Sequence, residues 1–227
     1  MDAEIADLGD YTPYFGRDAA AVFADLSAFS RLLLKWQRVQ NLVSRETPHA
    51  LWERHILDSL QLLPRIFAGS DAFGALIPTS LSGVEAVSAC SSSLTIADIG
   101  SGGGFPALPL AIALKDRPVG FHLVEANSRK CAFLRTAVRE LALNAQVHTA
   151  RIEALAPETL GTVDIVTSRA LAPLPLLLGY IVHLAPQARA ILHKGRENGE
   201  ERKLADSEFV YDVVQHESRT GSDGVIL

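Results

Sequence analysis

The spacing of apolar residues changes character near residue 94. Before that point, apolar residues follow the 4-3-4-3 spacing of one helix face: Val22, Leu26, Phe29, Leu33 and Trp36. A second helix is predicted to begin near Thr47, a candidate N-cap that is followed by Pro48 at the first helical position. Its buried face is predicted from three apolar residues, Trp52, Ile56 and Leu63. The first part of the chain is therefore predicted to be helical.

From residue 94 onward, short runs rich in Val and Ile alternate with helical segments. Strands are predicted over "LTIADI", "VGFHLVE", "AQVHTA", "TVDIVTS" and "ARAILHKG", with helices after each, including one near 152–160 and one near 197–206. This alternation predicts an α/β fold with a mostly parallel sheet and helices on both faces. The last two predicted strands, "EFVYDVV" and "GVIL", have no helix between them, so they are expected to pair antiparallel.

Composition divides the chain into three segments. Residues 1–67 form the predicted N-terminal helical extension, and residues 94–227 form the α/β domain. Between them, residues 68–93 carry only Asp71 and Glu85 as charges and are rich in Ser, Ala and Gly, which predicts a linker or an inserted loop. The extension and the α/β domain are expected to form one compact unit.

The overall composition is that of a globular protein, with 48% hydrophobic and 21% charged residues among 227. A net charge of −5 is not typical of a nucleic-acid-binding protein, so any such role depends on local patches. Cys90 and Cys131 form no CxxC pair, and the acidic N-terminus lacks the features of a signal peptide. The uncharged run between Arg169 and Arg189 contains three prolines and favours a buried helix over a membrane span. We therefore expect a cytoplasmic protein without membrane association, and the histidine spacing predicts no metal site.

The segment "ADIGSGGGFPALPL" places Gly100, Gly102 and Gly104 directly after a predicted strand that contains Asp98. Glycine tolerates positive φ and lets another molecule approach the backbone. The dinucleotide-binding fingerprint needs a glycine at position 105, where this chain has Phe105. The observed D-x-G-x-G-x-G pattern is typical of Rossmann-like class I S-adenosylmethionine-dependent methyltransferases. Asp98 is expected to order the loop or to meet the ammonium group of the cofactor through water.

A second carboxylate supports this interpretation. Glu125 ends the second predicted strand, 25 residues after Gly100, where it can accept both hydroxyls of a ribose. Residues that follow the carboxyl ends of parallel strands meet at one edge of the sheet, so Asp98, Glu125 and Arg169 are expected to lie close together. The alternative is that the glycine segment is only a structural turn between a strand and a helix.

Several stretches resemble the bacterial family of small-subunit ribosomal RNA guanine-N7 methyltransferases (RsmG, also called GidB). They are "LLKWQRVQNLVS", "RHILDSL", "DIGSGGGFPALPL", "RKCAFLRTAVRELAL", "RIEAL", "TSRALAPL" and "HKG", and they cover nearly the whole chain from about residue 30. "RHILDSL" and "TSRA" are specific to this family, whereas many methyltransferases share the glycine loop. The chain departs from the family at its acidic N-terminus, at residues 68–93 and at its C-terminal end.

The resemblance implies an enzyme that methylates N7 of a specific guanine in 16S ribosomal RNA within the small-subunit particle. It implies S-adenosylmethionine as the cofactor and no protein partner. Gly100 and Phe105 would line the cofactor loop, Ile152 and Glu153 would lie beside the adenine, and Arg169 would close the site.

The residues themselves are consistent with chemistry at guanine N7. This atom carries a lone pair and no proton at neutral pH, so its methylation needs no general base. Enzymes that methylate exocyclic amines usually carry Asn-Pro-Pro-Tyr or a relative at the end of the fourth strand, where this chain has Ser168-Arg169-Ala170. Methylation of cytosine C5 needs a nucleophilic cysteine, but Cys90 and Cys131 fall in the predicted linker and in a helix.

Arg169 is the catalytic candidate because its guanidinium can donate a fork of hydrogen bonds to guanine O6. The structural alternative is an ion pair with Asp98 or Glu153. His55 and Asp58 stand three residues apart on one predicted helix. They form either a local salt bridge or cap, or part of a helix that packs over the edge of the cofactor site.

RNA contacts are predicted from three segments rich in Lys and Arg. Residues 31–65 carry six basic and three acidic residues, and residues 129–151 carry five basic residues against Glu140. A third cluster contains Lys194, Arg196, Arg202 and Lys203. The alternative for each cluster is a solvated helix face. Two other functions stay open from the sequence: a nucleotide-binding oxidoreductase, and a non-catalytic RNA-binding or ribosome-assembly factor that retains the cofactor pocket.

Overall fold

The described part of the molecule is built on a sheet of seven strands. The computed structural model describes residues 6–44, 50–68, 93–195, 199–220 and 224–227. The strands are β1 (Leu94–Ile99), β2 (Val119–Glu125), β3 (Ala145–Thr149), β4 (Ile165–Arg169), β5 (Arg189–Gly195), β6 (His216–Glu217) and β7 (Gly224–Ile226). Their order is β3-β2-β1-β4-β5-β7-β6. Strands β1 to β5 pair in parallel, and β7 is antiparallel to both β5 and β6. The predicted Rossmann-like fold class is confirmed.

Helices cover both faces of this sheet. They are α1 (Ala19–Gln37), α2 (a π-helical turn Trp52–Leu57 continued by Asp58–Leu60), α3 (Leu63–Ile66), α4 (Ala107–Ala113), α5 (Ser128–Glu140), α6 (Leu174–Leu184) and α7 (Gly199–Glu208). Apolar residues of α1 to α5 form one core cluster with the first face, and α6 and α7 contribute to a second cluster on the other face. Parallel strands covered on both sides explain the near-continuous hydrophobic runs in the sequence.

The first helix packs on the sheet with the face that its spacing predicts. Four of the five predicted core residues of α1 have no exposed surface: Val22, Leu26, Phe29 and Leu33. The fifth, Trp36, is partly buried and contacts Phe133 of α5 edge to face, with ring centroids 5.9 Å apart. The N-terminal extension therefore shares its core with the α/β domain.

Two predicted elements differ in the structure. The helix expected near 152–160 is replaced by two short 3-10 turns, Ile152–Ala154 and Pro157–Thr159, because Pro157 cannot continue a preceding helix. The strand expected over "EFVYDVV" does not form, and Val210 and Val214 are exposed. Strand β7 spans only three residues and pairs with His216 and Glu217 instead. Thr47, Pro48 and most of the predicted linker, 69–92, lie outside the described residues.

None of the helices in the described ranges is long and apolar enough to cross a bilayer. The uncharged stretch after Arg169 forms α6, an 11-residue helix whose residues Leu174, Leu177, Ile181 and Leu184 are buried against the sheet.

Candidate active site

The order of the strands creates a crevice at the carboxyl ends of β1 and β4. Strand β1 lies between β2 and β4. Strands β2 and β3 lie on one side of β1, and β4 and β5 lie on its other side, so the direction in which strands are added reverses at β1. Ligands of open α/β sheets bind at this reversal point. Asp98 lies one residue before the end of β1, while Glu125 ends β2 and Arg169 ends β4. The structure therefore brings the three predicted residues to one edge.

The glycine loop that follows β1 has a backbone that other residues rarely adopt. Its φ angles are +73° at Gly100, +53° at Gly102 and +88° at Gly104. A Cβ at Gly100 would lie 2.5 Å from Leu171 Cδ1, and a Cβ at Gly104 would overlap Leu108. A Cβ at Gly102 would meet nothing closer than 3.7 Å. Gly100 and Gly104 are therefore packed against Leu171 and Leu108, whereas no side chain occupies the space beside Gly102.

The remaining glycine of the loop contacts the N-terminal extension. A Cβ at Gly103 would lie 2.8 Å from the backbone oxygen of Leu42. The Gln37 side chain fixes this part of the extension, because its oxygen accepts from the Leu42 amide at 2.8 Å and its nitrogen donates to Val43 O at 2.8 Å. In the D-x-G-x-G-x-G pattern, position 103 is one that any residue can occupy. Only the presence of a further glycine there, between Gly102 and Gly104, indicates a close backbone contact.

Glu125 joins the end of β2 to the glycine loop. One carboxylate oxygen accepts from the Gly102 amide at 2.9 Å and the other accepts from the Asn127 amide at 2.7 Å. Asn127 in turn caps α5, since its side-chain oxygen accepts from the amides of Arg129 and Lys130. A carboxylate oxygen has more than one acceptor position, so Glu125 can hold the loop and still accept hydroxyl groups of a ligand.

Asp98 lies directly beneath the glycine loop and has no exposed surface. Its Oδ1 accepts from the Thr167 hydroxyl at 2.8 Å, while its Oδ2 is buried and has no hydrogen-bond partner among the described residues. Burial raises the pKa of Asp98 to about 7. A buried polar atom without a partner is unfavourable. A cationic group at the loop would offset this cost.

Arg169 is held by the N-terminal extension rather than by the sheet. One guanidinium nitrogen donates to Arg54 O at 3.2 Å and to Asp58 Oδ2 at 3.2 Å, and the other lies at hydrogen-bond distance from His55 Nδ1. The guanidinium lies over the Phe105 ring, 5.0 Å from its centroid. The alternative ion pair with Asp98 or Glu153 is therefore wrong, since Asp58 is the carboxylate that pairs with Arg169.

Asp58 connects Arg169 to two further parts of the chain. Its Oδ1 accepts from Gln61 at 2.6 Å and from Thr220 near the C-terminus at 2.8 Å. Its Oδ2 lies 3.5 Å from His193 Nε2, and His193 pairs in register with Arg169 across β4 and β5. His193 was not among the site residues predicted from the sequence, although it lies in "HKG", one of the stretches that carry the resemblance.

The position of His55 supports the second interpretation of the "RHILDSL" helix. The His55 ring packs against Phe105, with centroids 4.8 Å apart, and Phe105 is almost fully buried. Phe29 of α1 contacts the same ring edge to face at 5.5 Å. Helix α2 therefore packs over the loop edge, and Phe105 is part of the contact that holds it there.

Ile152 and Glu153 follow β3 at the same edge of the sheet. Ile152 is buried, whereas Glu153 is exposed and accepts from the Tyr180 hydroxyl at 2.7 Å. Neither residue makes a hydrogen bond to the glycine loop in the described part of the chain, so their place beside an adenine stays a prediction. The same part of the chain contains no group of three His, Cys, Asp or Glu residues arranged to hold a metal ion.

His55 is expected to make a contribution to stability that is lost in mild acid. Arginine only donates hydrogen bonds, so His55 Nδ1 must be an unprotonated acceptor toward Arg169. Burial, followed by the charge of Arg169, lowers the pKa of His55 to about 4. The unfolded chain therefore binds a proton near pH 6.5 that the folded chain does not bind, and the contribution of His55 to stability falls as the pH drops from 6.5 toward 4. The raised pKa of Asp98 acts in the opposite direction over this range, so the effect of His55 is measured by comparison with a variant that lacks it.

Urea unfolding at pH 7 and at pH 5 measures this effect. We expect His55 to contribute a decrease of about 2 kcal/mol in the free energy of unfolding over this range. His55→Asn retains an oxygen that can accept from Arg169, and asparagine does not titrate. The change in its free energy of unfolding between pH 7 and pH 5 should therefore lack this contribution of about 2 kcal/mol from His55. Equal pH dependence in the two proteins would show that His55 is not kept neutral by folding.

The chain is similar in sequence to proteins of one known family. The GidB family model, described as rRNA small subunit methyltransferase G, matches residues 23–77 and 70–224. A Bartonella tribocorum protein named ribosomal RNA small subunit methyltransferase G is 37% identical over 229 residues, which cover 100% of this chain and 94% of that protein. An Acidiphilium cryptum protein of the same name is 42% identical over 205 residues, which cover 89% of this chain and 82% of that protein.

Among solved structures, the chain is similar to a SAM-dependent methyltransferase from Aquifex aeolicus. The TM-score is 0.45 at 16% sequence identity, and the similarity covers 60% of this chain and 80% of that one.

Proposed function

Because the chain belongs to the rRNA small subunit methyltransferase G family, we propose that it transfers a methyl group to N7 of a guanine in 16S ribosomal RNA. It is an S-adenosylmethionine-dependent methyltransferase. The observation that carries the proposal is the combined site at the ends of β1, β2 and β4. There, the glycine loop is bonded to Glu125 and to the backbone of Asp98, and the Arg169 guanidinium lies over the ring of Phe105 at the end of the loop.

The residues of the crevice fit the cofactor. Gly102 leaves room for close approach to the backbone, Glu125 has acceptor positions for ribose hydroxyls, and the unpartnered Asp98 Oδ2 lies beneath the loop where an ammonium group would compensate it. When bound, S-adenosylmethionine supplies a methyl group on a positively charged sulfur. The chain itself then has to hold the guanine in line with that methyl group and keep N7 free of hydrogen-bond donors.

Arg169 retains hydrogen-bonding capacity for the guanine. Its guanidinium carries five N–H donors, and the contacts to Arg54 O, Asp58 and His55 account for three of them. The remaining donors can bind guanine O6, which leaves the N7 lone pair unprotonated. The stacking on Phe105 and the bonds to α2 fix the plane of the group before the substrate arrives.

Phe105 is the strongest argument against a nucleotide-binding oxidoreductase. The third fingerprint glycine allows close contact between helix and strand, whereas here the Phe105 ring packs against Phe29, His55 and Arg169. A non-catalytic assembly factor with the same pocket would bind the cofactor without consuming it. Incorporation of labelled methyl into RNA separates that function from an enzyme.

The substrate form that we propose is the small-subunit ribosomal particle or its RNA, with little activity on free GTP. Several exposed basic residues near the site, among them Arg54, Arg129 and Arg151, support contacts with an RNA backbone over several nucleotides. A protein that acts on ribosomal RNA works in the cytoplasm, and we propose that location for this chain.

Mass spectrometry of digested 16S RNA tests the proposed reaction. Small subunits from cells without this enzyme are incubated with the protein and S-adenosylmethionine, and the modified nucleoside is identified. We expect 7-methylguanosine at a single position. Methyl label on adenine, on cytosine or on an exocyclic amine of guanine would refute the N7 assignment while leaving the cofactor site intact.

The role of Glu125 predicts a defect in cofactor affinity. Hydrogen bonds to a charged group are worth about 1.5–3 kcal/mol, so Glu125→Ala should weaken S-adenosylmethionine binding roughly ten- to a hundredfold. The same change also removes the bonds to the Gly102 and Asn127 amides. Glu125→Gln keeps one acceptor oxygen and serves as the matched variant, with an intermediate affinity expected by calorimetry. Unchanged affinity in a folded Glu125→Ala protein would reject the assignment.

A further inference from the structure

Charge is distributed unevenly along α1. Near its start, Asp25 pairs with Arg17 at 2.7 Å and with Lys115 at 3.3 Å, close to the amino end of β2. At the opposite end of the helix, Lys35 and Arg38 are exposed and form no ion pair with any carboxylate of the described residues. The acidic residue near the start of α1 is thus paired with two basic residues at the amino edge of the sheet. Lys35 and Arg38, at the edge that carries the active site, have no paired carboxylate among the described residues.

Helix α5 contributes cations to the same edge. It begins directly after Glu125, so its first turn places Arg129 and Lys130 at the carboxyl end of β2. Arg129 is exposed and Lys130 is half-buried, and neither side chain forms an ion pair with a carboxylate of the described residues. The positive end of the helix dipole adds to their charge.

The two pairs of cations lie on neighbouring surfaces. Trp36, which lies between Lys35 and Arg38 in the sequence, contacts Phe133 of α5. Phe133 lies one helical turn after Arg129 and Lys130. The turn that follows Arg38 brings Leu42 against Gly103 of the cofactor loop. The four basic residues therefore flank the glycine loop on the extension side, and we refer to them as the cationic rim: Lys35, Arg38, Arg129 and Lys130.

We propose that the cationic rim binds the phosphate backbone of the ribosomal RNA next to the target guanine. This inference depends on the proposed function and assigns a surface to its substrate. Ion pairs within the protein would neutralise these side chains, so unpaired cations beside the methyl-transfer site are suited to phosphates. Contacts of this type orient a nucleic acid and carry no sequence information of their own. The rim thus fixes the position of the RNA while residues in the crevice select the base.

Arg139 provides a control within the same helix. It is exposed like Arg129 but lies in the last turn of α5, ten residues later, which is about 15 Å along the helix axis. Its removal changes the net charge of the protein by the same amount as removal of one rim residue. A difference between the two positions therefore reports the location of the RNA rather than the total charge.

Binding of labelled protein to unmethylated 30S subunits, measured by fluorescence anisotropy over a range of KCl concentrations, tests the rim. Lys35→Ala/Arg38→Ala should weaken binding about tenfold or more and reduce the slope of log K against log salt by about one for each lost phosphate contact. Arg129→Ala should reduce the slope in the same way, and Arg139→Ala should behave like the unmodified protein. Affinity for S-adenosylmethionine should be unchanged in all of them.

The proposal fails if the double variant binds 30S subunits with the original affinity and slope, or if Arg139→Ala weakens binding as much as Arg129→Ala does. The binding measurement requires no methyl transfer, so it is independent of which atom becomes modified. Methyl label at another atom, together with rim-dependent binding, would reject N7 chemistry and leave the rim in place. Methylation of N7 by rim variants with unchanged binding would reject only the rim.

Discussion

Gly102→Val is expected to abolish S-adenosylmethionine binding and to leave the fold intact. Gly102 has a φ of +53°, and a β-branched residue in that conformation costs on the order of 1–3 kcal/mol. The new Cβ would meet no protein atom closer than 3.7 Å, so the core does not have to move. The added side chain instead fills the space through which a ligand approaches the backbone, and a shifted loop would lose the bond from the Gly102 amide to Glu125.

Calorimetric titration with S-adenosylmethionine and circular dichroism measure the two effects separately. Gly102→Ala should weaken binding less than Gly102→Val does, because alanine enters the left-handed region more easily and is smaller. Gly179→Ala is a suitable control, because Gly179 lies in α6 without a positive φ, and a Cβ added there would meet no atom within 4 Å. Normal affinity in folded Gly102→Val protein would mean that the loop is only a structural turn.

The sequence predicted the loop because its chemistry is local. Positive φ values at three alternate glycines, a carboxylate at the end of β1 and another at the end of β2 are properties of short segments, and the structure has all of them. The mostly parallel pairing of the strands follows from the alternation of strands and helices in the same way. The family resemblance was confirmed by the match to the family model and to curated relatives.

The partners of Arg169 could not be predicted in this way. Asp58 lies 111 residues before Arg169 in the chain, and Thr220 lies 162 residues after Asp58, so no periodicity connects them. The expectation of a pair with Asp98 or Glu153 considered only carboxylates near the strand ends. In the folded chain, α2 lies closer, and Asp58 is the carboxylate that reaches the guanidinium. The contact between Leu42 and Gly103 was missed for the same reason, because backbone contacts between distant segments leave no pattern in the sequence.

Arg169→Lys is expected to reduce methyl transfer roughly ten- to a hundredfold or more, since one lost charge-assisted hydrogen bond corresponds to about 1.5–3 kcal/mol. A lysine ammonium is a compact charge on a flexible stem, and it cannot contact Arg54 O, Asp58 and His55 together. It also cannot lie flat on the Phe105 ring as the guanidinium does. The charge would remain in the site, but its orientation would be lost.

The division of this defect between kcat and cofactor affinity identifies the ligand that Arg169 serves. If its free donors bind guanine O6, Arg169→Lys lowers kcat at saturating S-adenosylmethionine and changes the Kd for the cofactor little. Asp58→Asn leaves the guanidinium in place but removes the charge that holds it, so it should give a smaller loss of the same kind. An Arg169→Lys enzyme with normal kcat and a raised Kd would instead show that the arginine holds the cofactor. We expect the first result, because Phe105, Asp58 and His55 fix the guanidinium at the end of β4, the position that the proposed function assigns to the guanine.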